Sequence, residues 1–188
     1  MMICTPNLVL WLEIVLFERY GIDFRLQLLD DRWVMNAPAL EGRIEVMRTH
    51  TSFSALSRDT PCAQWNAQGS DLQGAIANLL PAPGAATLPE PLVTEIDGGF
   101  RFGYDILALA AWMMTRHEEI GTEDLDEHGR FPAVASHAFR HGYLERPIVD
   151  EWFHILSRIV KRLWPSLELK RHEFAVSVSH DVDEPSPI

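Results

Sequence analysis

The sequence is short of positive charge and of cysteine. Sixteen Lys and Arg stand against 27 Asp and Glu, for a formal net charge of -11 and a pI near 5.1. Non-specific nucleic-acid binding and docking on anionic lipid both need clustered cations, so neither is expected of this chain. The two cysteines, Cys4 and Cys62, make neither a metal-ligand spacing nor a disulfide framework. A reduced, cytoplasmic setting is the simplest expectation. The first residues, Met1-Met2-Ile3-Cys4-Thr5-Pro6, include no basic segment, and the apolar stretch after them carries Glu13, Glu18 and Arg19. That pattern fits neither a secretory signal nor a membrane span, which needs about 20 residues nearly free of charge. A Gly-rich phosphate loop, a Gly-x-Ser-x-Gly elbow, a Cys/His nucleophile pair and a Cys-x-x-Cys are all missing. There is no internal repeat.

What is present is ordinary globular material. A length of 188 residues, with 47% hydrophobic and 23% charged, allows one sizeable core and a short extra element. Thr5 as N-cap, Pro6 at the first helical position and Gly21 as the left-handed end residue predict a helix over 6–20. Its apolar face is Leu8, Trp11, Leu12, Val15 and Leu16. Phe24, Leu26 and Leu28 alternate with polar residues, Asp30-Asp31 reads as a turn, and Trp33-Val34-Met35 resumes, which predicts a strand pair. Residues 57–91 are rich in Pro, Gly, Ala, Ser and Gln and read as a long loop with one short helix near Leu72–Leu80. Leu92–Ile96 and Phe100–Phe102, joined by Asp97-Gly98-Gly99, predict a hairpin.

A second helix is expected over 106–119 with Asp105 as N-cap. A third opens at Pro147, with Asp150 and Glu151 in its first turn and Lys161 and Arg162 in its last, charges that suit the helix dipole. Ile148, Trp152, Ile155, Ile159 and Leu163 form its buried stripe, and Trp164-Pro165 stops it. The final run, Phe174 to Ser179, alternates as a strand. The expected class is α+β: helices packed on a small mixed sheet with hairpins. Burial of Trp11, Trp112 and Trp152 in one core would leave no large apolar patch for a partner.

Three clusters carry candidate chemistry. His180-Asp181-Val182-Asp183 follows the last strand, and an Asp-x-Asp there puts both carboxylates on one side of the chain. One could hold a divalent metal while the other takes a proton from water. On these residues alone, a polar strand exit is the simpler account. His137 and His141 share a face if their segment is helical and could hold zinc; a solvated helix end is the simpler account there too. The acidic stretch from Arg116 to Phe131 reads as a loop, pinned by Arg130 on Asp126 and Arg116 on a glutamate.

Taken in order, Tyr104-Asp105-Ile106, Thr115-Arg116-His117-Glu118-Glu119, Asp126 to Phe131, Arg146-Pro147-Ile148-Val149-Asp150 and Ser179 to Asp183 form a set. The set resembles the N-terminal region that precedes the catalytic domain in bacterial polysaccharide deacetylase-like proteins of the NodB-like superfamily. The first hundred residues share only the general layout. The resemblance implies two parts: residues 1–171 as an accessory domain, and residues 172–188 as the first strand and Asp-x-Asp motif of a (β/α) barrel. It implies Asp181 as general base and Asp183 as ligand of a divalent metal, zinc in the family pattern, with two histidines of a later His-x-x-x-His. Such enzymes remove N-acetyl groups from amino sugars, with chemistry at the carboxyl ends of barrel strands.

No His-x-x-x-His follows Asp183, and His137 and His141 precede the strand, so the family's metal role is not carried onto them. Residues 172–188 are therefore expected to be the edge of a truncated barrel. The chain alone should be inactive and bind no metal, since a zinc site needs three protein ligands. The implied partners are the downstream barrel, on the same or an adjacent chain, and the parent's polysaccharide substrate. The alternative is a stand-alone interaction or glycan-binding module, the latter built on a Trp or Tyr platform.

Overall fold

The computed structural model describes residues 6–48, 59–123 and 125–179. Thr5, Cys4, Asp124, His180, Asp181 and Asp183 lie outside the described residues. The chain is a mixed α+β domain, as the sequence predicts. A five-stranded sheet has the order β1-β2-β3-β7-β6, and a separate two-stranded ribbon pairs β4 with β5. No strand set closes into a barrel among the described residues.

Helix α1 spans Pro6–Tyr20 and ends where Gly21 adopts a left-handed φ of 72°. Leu12, Val15, Leu16 and Tyr20 are buried, with Leu8 and Trp11 packed against the core. Apolar residues extend past the buried face, so Leu10, Ile14 and Phe17 remain exposed on its outer side. Strands β1 (Arg25–Leu28), β2 (Arg32–Asn36) and β3 (Arg43–Met47) form an antiparallel meander turning at Asp30-Asp31. Strands β6 (Val93–Ile96) and β7 (Gly99–Phe102) form the predicted hairpin. Of its two turn residues only Gly98 takes a positive φ, 72°.

The sequence did not foretell that β7 lies parallel to β3, pairing Glu45 with Arg101. Parallel neighbours need a long crossover, and the stretch expected to be loop supplies it. Within it, Cys62–Asn66 (β4) and Leu79–Pro83 (β5) pair antiparallel, and the helix expected near Leu72–Leu80 does not form. Proline content misled the expectation, because proline is tolerated at strand positions whose polar groups face away from the partner. Pro81 and Pro83 occupy such positions. The carbonyls of Leu79, Pro81 and Pro83 accept from Arg146 Nη1 (2.9 Å), Trp152 Nε1 (2.7 Å) and the Tyr104 hydroxyl (2.9 Å). At Pro81 and Pro83 the outer edge of β5 thus needs only donors, and side chains provide them.

Helix α2 covers Ile106–Met114, capped by Asp105 accepting from the Ala108 N–H at 3.0 Å. It stops short of the predicted Glu119. Thr115 turns its hydroxyl back onto the Ala111 carbonyl, Arg116 takes φ 52°, and His117–Glu119 form a 3-10 turn. Helix α3 is the short His137–Arg140, and α4 spans Ile148–Leu163. The predicted stripe of α4 is buried save for Leu163, which packs at the core's rim.

Helix α1 packs on β1, and α4 packs on both β7 and β5. Trp152 marks the centre: its ring meets Trp65 of β4 at 5.7 Å, Phe102 of β7 at 6.0 Å and Tyr104 at 4.9 Å. Trp152 and Trp112 are buried in one core and Trp11 packs against it. The sheet face away from the helices carries Glu45, almost fully buried beneath Arg32, Arg43 and Arg101.

Candidate functional site

The motifs in the second half of the chain fold into caps and pinned turns. Asp105 caps α2 and accepts from the Trp33 indole at 3.2 Å, so the Tyr104-Asp105-Ile106 motif ties β2, β5 and α2 together. Asp126 accepts from the backbone N–H of His128 and of Arg130, both at 2.9 Å, and from Arg130 Nη2 at 3.0 Å. The Arg130 backbone bond is the main reason its carboxyl is held below the usual carboxylate range. Arg116 bonds Glu119 at 2.6 Å. Both pairings match the sequence expectation of a pinned loop. In Arg146–Asp150, Arg146 grips the buried Glu151 and Asp150 meets Arg19 of α1 at 2.8 Å. Glu151 is therefore more than a dipole partner.

His137 and His141 come together with their rings 4.2 Å apart. The expectation of a solvated helix end fails for His137, which is 0% exposed. Its Nε2 lies 3.0 Å from the Thr60 carbonyl, which can only accept, so Nε2 carries the proton. Its Nδ1, 2.5 Å from the Tyr143 hydroxyl, then accepts from it. Glu118 folds inward and accepts from the His137 backbone N–H. Burial lowers the His137 pKa to about 4, with His141 adding to the effect, so the ring is neutral at pH 7. Burial also raises the carboxyl of Glu118 and pushes the Cys62 thiol up to about 11, an unreactive state. Nothing in the sequence flags Tyr143 or Glu118 as partners of this histidine, since neither stands at helical spacing from it.

These groups do not suit a metal ion. Both nitrogens of His137 are committed, and no group of three or more His, Cys, Asp or Glu side chains converges among the described residues. A zinc site needs three protein ligands. His141 Nε2 is buried and finds no hydrogen-bond partner among the described residues, but one nitrogen is not a site.

The chain's last described segment leaves the domain at one defined place. A helix end leaves four carbonyls without intrahelical donors, and in α1 all four are met. Phe17 accepts from the Gly21 N–H at 2.7 Å and Tyr20 from the Lys170 N–H at 2.8 Å. Lys170 Nζ reaches Glu18 at 3.3 Å, and His172 Nε2 donates to Arg19 at 2.8 Å. From Glu173 to Ser179 the side chains are exposed. The expected strand at Phe174–Ser179 pairs with no strand among the described residues, and Phe174, Val176 and Val178 are 93%, 72% and 79% exposed. Alternation alone proposed a strand there, but a ladder needs a partner edge.

The arrangement defines a mixed α+β domain whose motif residues build scaffold, with its chain exit fixed on the end of α1. The chain belongs to a family described as a family of unknown function (DUF7033), whose pattern matches residues 3–165. No curated protein and no solved structure matches it.

Proposed function

We propose that this chain is the non-catalytic N-terminal domain of a metal-dependent polysaccharide deacetylase-like hydrolase. In this reading a barrel following the domain, on the same or an adjacent chain, removes N-acetyl groups from amino sugars, and residues 1–171 hold and orient its first strand. The chain alone releases no acetate.

The observation that carries the reading is the exit. Residues 170–172 are pinned to the carboxyl end of α1, and the alternating Phe174, Val176 and Val178 run on without pairing to any strand among the described residues. An apolar strand pattern left in water is what a strand belonging to a neighbouring sheet looks like. It leads into His180-Asp181-Val182-Asp183, the residues on which the resemblance places the base and a metal ligand.

The test begins with the reading frame beyond Ile188 and its neighbours. A barrel frame carrying His-x-x-x-His is expected, and the protein that includes it should release acetate from an N-acetylglucosamine polymer. Asp181→Asn should abolish release with metal content retained, whereas Asp183→Asn should lose both. If no such frame exists, or if release survives both substitutions, the proposal is wrong.

A further inference from the structure

A cleft of about 490 Å³ opens between the β4 strand, the turn after it, the 88–93 segment and the last turn of α4. Its size is that of sites that take small organic ligands. Six side chains decide what it could hold: Trp65, Gln64, Gln68, Asp71, Glu90 and Arg162.

One of these, Trp65, is fixed in place before any ligand arrives, and a second, Arg162, is tethered at the surface. Trp65 is half-buried, and its ring stacks on Trp152 at 5.7 Å with 30° between planes. Trp152 is locked in turn by its bond to the Pro81 carbonyl, so the indole in the cleft rests on a rigid support. Arg162 lies over the Phe100 ring at 5.1 Å and bonds Asp71 at 2.9 Å. Groups whose rotamers are set by packing recognise a ligand with little ordering cost, which separates a built site from a surface gap.

The chemistry of the lining selects the ligand. The Arg162 charge is met by Asp71, and Glu90 leaves the cleft one unit negative, so phosphate, sulfate and uronate are disfavoured. The amides of Gln64 and Gln68 and the planar ends of Glu90 and Arg162 present paired donors or acceptors. Such pairs fit adjacent hydroxyls, each of which both donates and accepts. An indole beside them offers an apolar face. A pyranose ring has that combination: a C–H face for the aromatic and a rim of hydroxyls for the planar polar groups. We propose that this cleft binds an uncharged, hydroxyl-rich oligosaccharide, with Trp65 as its stacking platform and Gln64, Gln68, Glu90 and Arg162 as its hydroxyl partners.

This proposal does not rest on the deacetylase reading. It is tested on the chain alone, whereas acetate release is tested on the protein that includes the barrel. Isothermal titration would use cellopentaose and chitopentaose, with an oligogalacturonate as the anionic arm and a chitosan pentamer as the cationic one. A saturable signal is expected with at least one neutral oligomer, weakened about tenfold or more by Trp65→Ala. Because Trp65 also packs on Trp152, a second variant, Gln68→Ala with Glu90→Ala, alters only exposed side chains and should weaken binding while leaving thermal unfolding unchanged. Failure of both neutral oligomers to bind at millimolar concentration overturns the proposal. So does binding confined to a charged arm, or neutral binding that ignores both variants.

Discussion

Arg146 holds Glu151 through two parallel bonds, Nε to Oε1 at 2.9 Å and Nη2 to Oε2 at 2.6 Å. The same guanidinium donates through Nη1 to the Leu79 carbonyl, so one side chain joins the start of α4 to the outer edge of β5. Glu151 is 1% exposed. A buried carboxylate that loses its guanidinium partner stays in low dielectric without compensation.

Arg146→Ala is therefore expected to lower stability by about 3 kcal/mol, read from the shift of the urea midpoint. Arg146→Lys should recover only part, because an ammonium cannot span both carboxylate oxygens and the carbonyl together. Equal effects of the two substitutions would show that the fork geometry is not what matters.

His137 supplies a pH dependence whose direction follows from its burial. Its folded pKa of about 4 lies below the ordinary value of 6.5. Between those values the unfolded chain binds the proton and the folded one does not, so stability falls as pH drops from about 6.5 toward 4. The full effect is about 3 kcal/mol. The neighbours are His141 and Arg140 on its own segment, Glu118 from the 3-10 turn and Tyr143. His154 is also lowered by burial, and the raised carboxyl of Glu118 acts in the opposite sense, so comparison with a variant isolates His137. His137→Phe should be less stable at pH 7 yet lose less on going to pH 5. Equal losses of wild type and His137→Phe across that interval would contradict the neutral, buried ring.

Local signals in the sequence carried far. Gly21, Asp105 and Trp164-Pro165 mark helix ends because the caps depend on adjacent residues, and the structure places all three as expected. Asp97-Gly98 marks its hairpin for the same reason. What needs distant partners was hidden. Pro81 and Pro83 read as loop residues because nothing near them shows that Trp152 and Tyr104, far along the chain, donate to their carbonyls. Alternation at Phe174–Val178 announced a strand without announcing what it pairs with. His137 looked like a solvent-facing helix end because the residues that enclose it, Thr60, Trp112 and Glu118, come from other parts of the chain. The parallel pairing of β3 with β7 is a long-range choice of the same kind.

Glu45 gives a third measurement. Burial alone would raise its carboxyl, but hydrogen bonds from Arg101 and Arg43 outweigh that and hold it below the usual range. A lowered carboxyl stabilises the fold above the unfolded value of about 4.3, and that stability is lost as pH falls through the folded value. Glu45→Gln should cost about 1–3 kcal/mol at pH 7, since it leaves Arg43 and Arg101 without the counter-charge they share. Its acid unfolding should also be less steep than that of the wild type. A variant with the wild-type acid profile would assign the steepness to other carboxylates.

The chain exit is the feature on which the proposed function depends most, and Gly21 controls it. Its φ of 72° is strained for any residue with a Cβ, and a Cβ there would stand 3.2 Å from the Cβ of Lys170. Gly21→Ala should cost about 1–2 kcal/mol and push residues 170–172 off the end of α1. Trypsin reads that release directly, because Lys170 and Arg171 are both cleavage sites and exposed backbone is cut faster than tethered backbone. His172→Ala removes only the donor to the Arg19 carbonyl and should accelerate cleavage less. Under native conditions, cutting after Lys170 is expected to rank Gly21→Ala, then His172→Ala, then wild type. If all three are cut at one rate, α1 does not hold the exit, and it could not set the direction in which residues 173–179 leave.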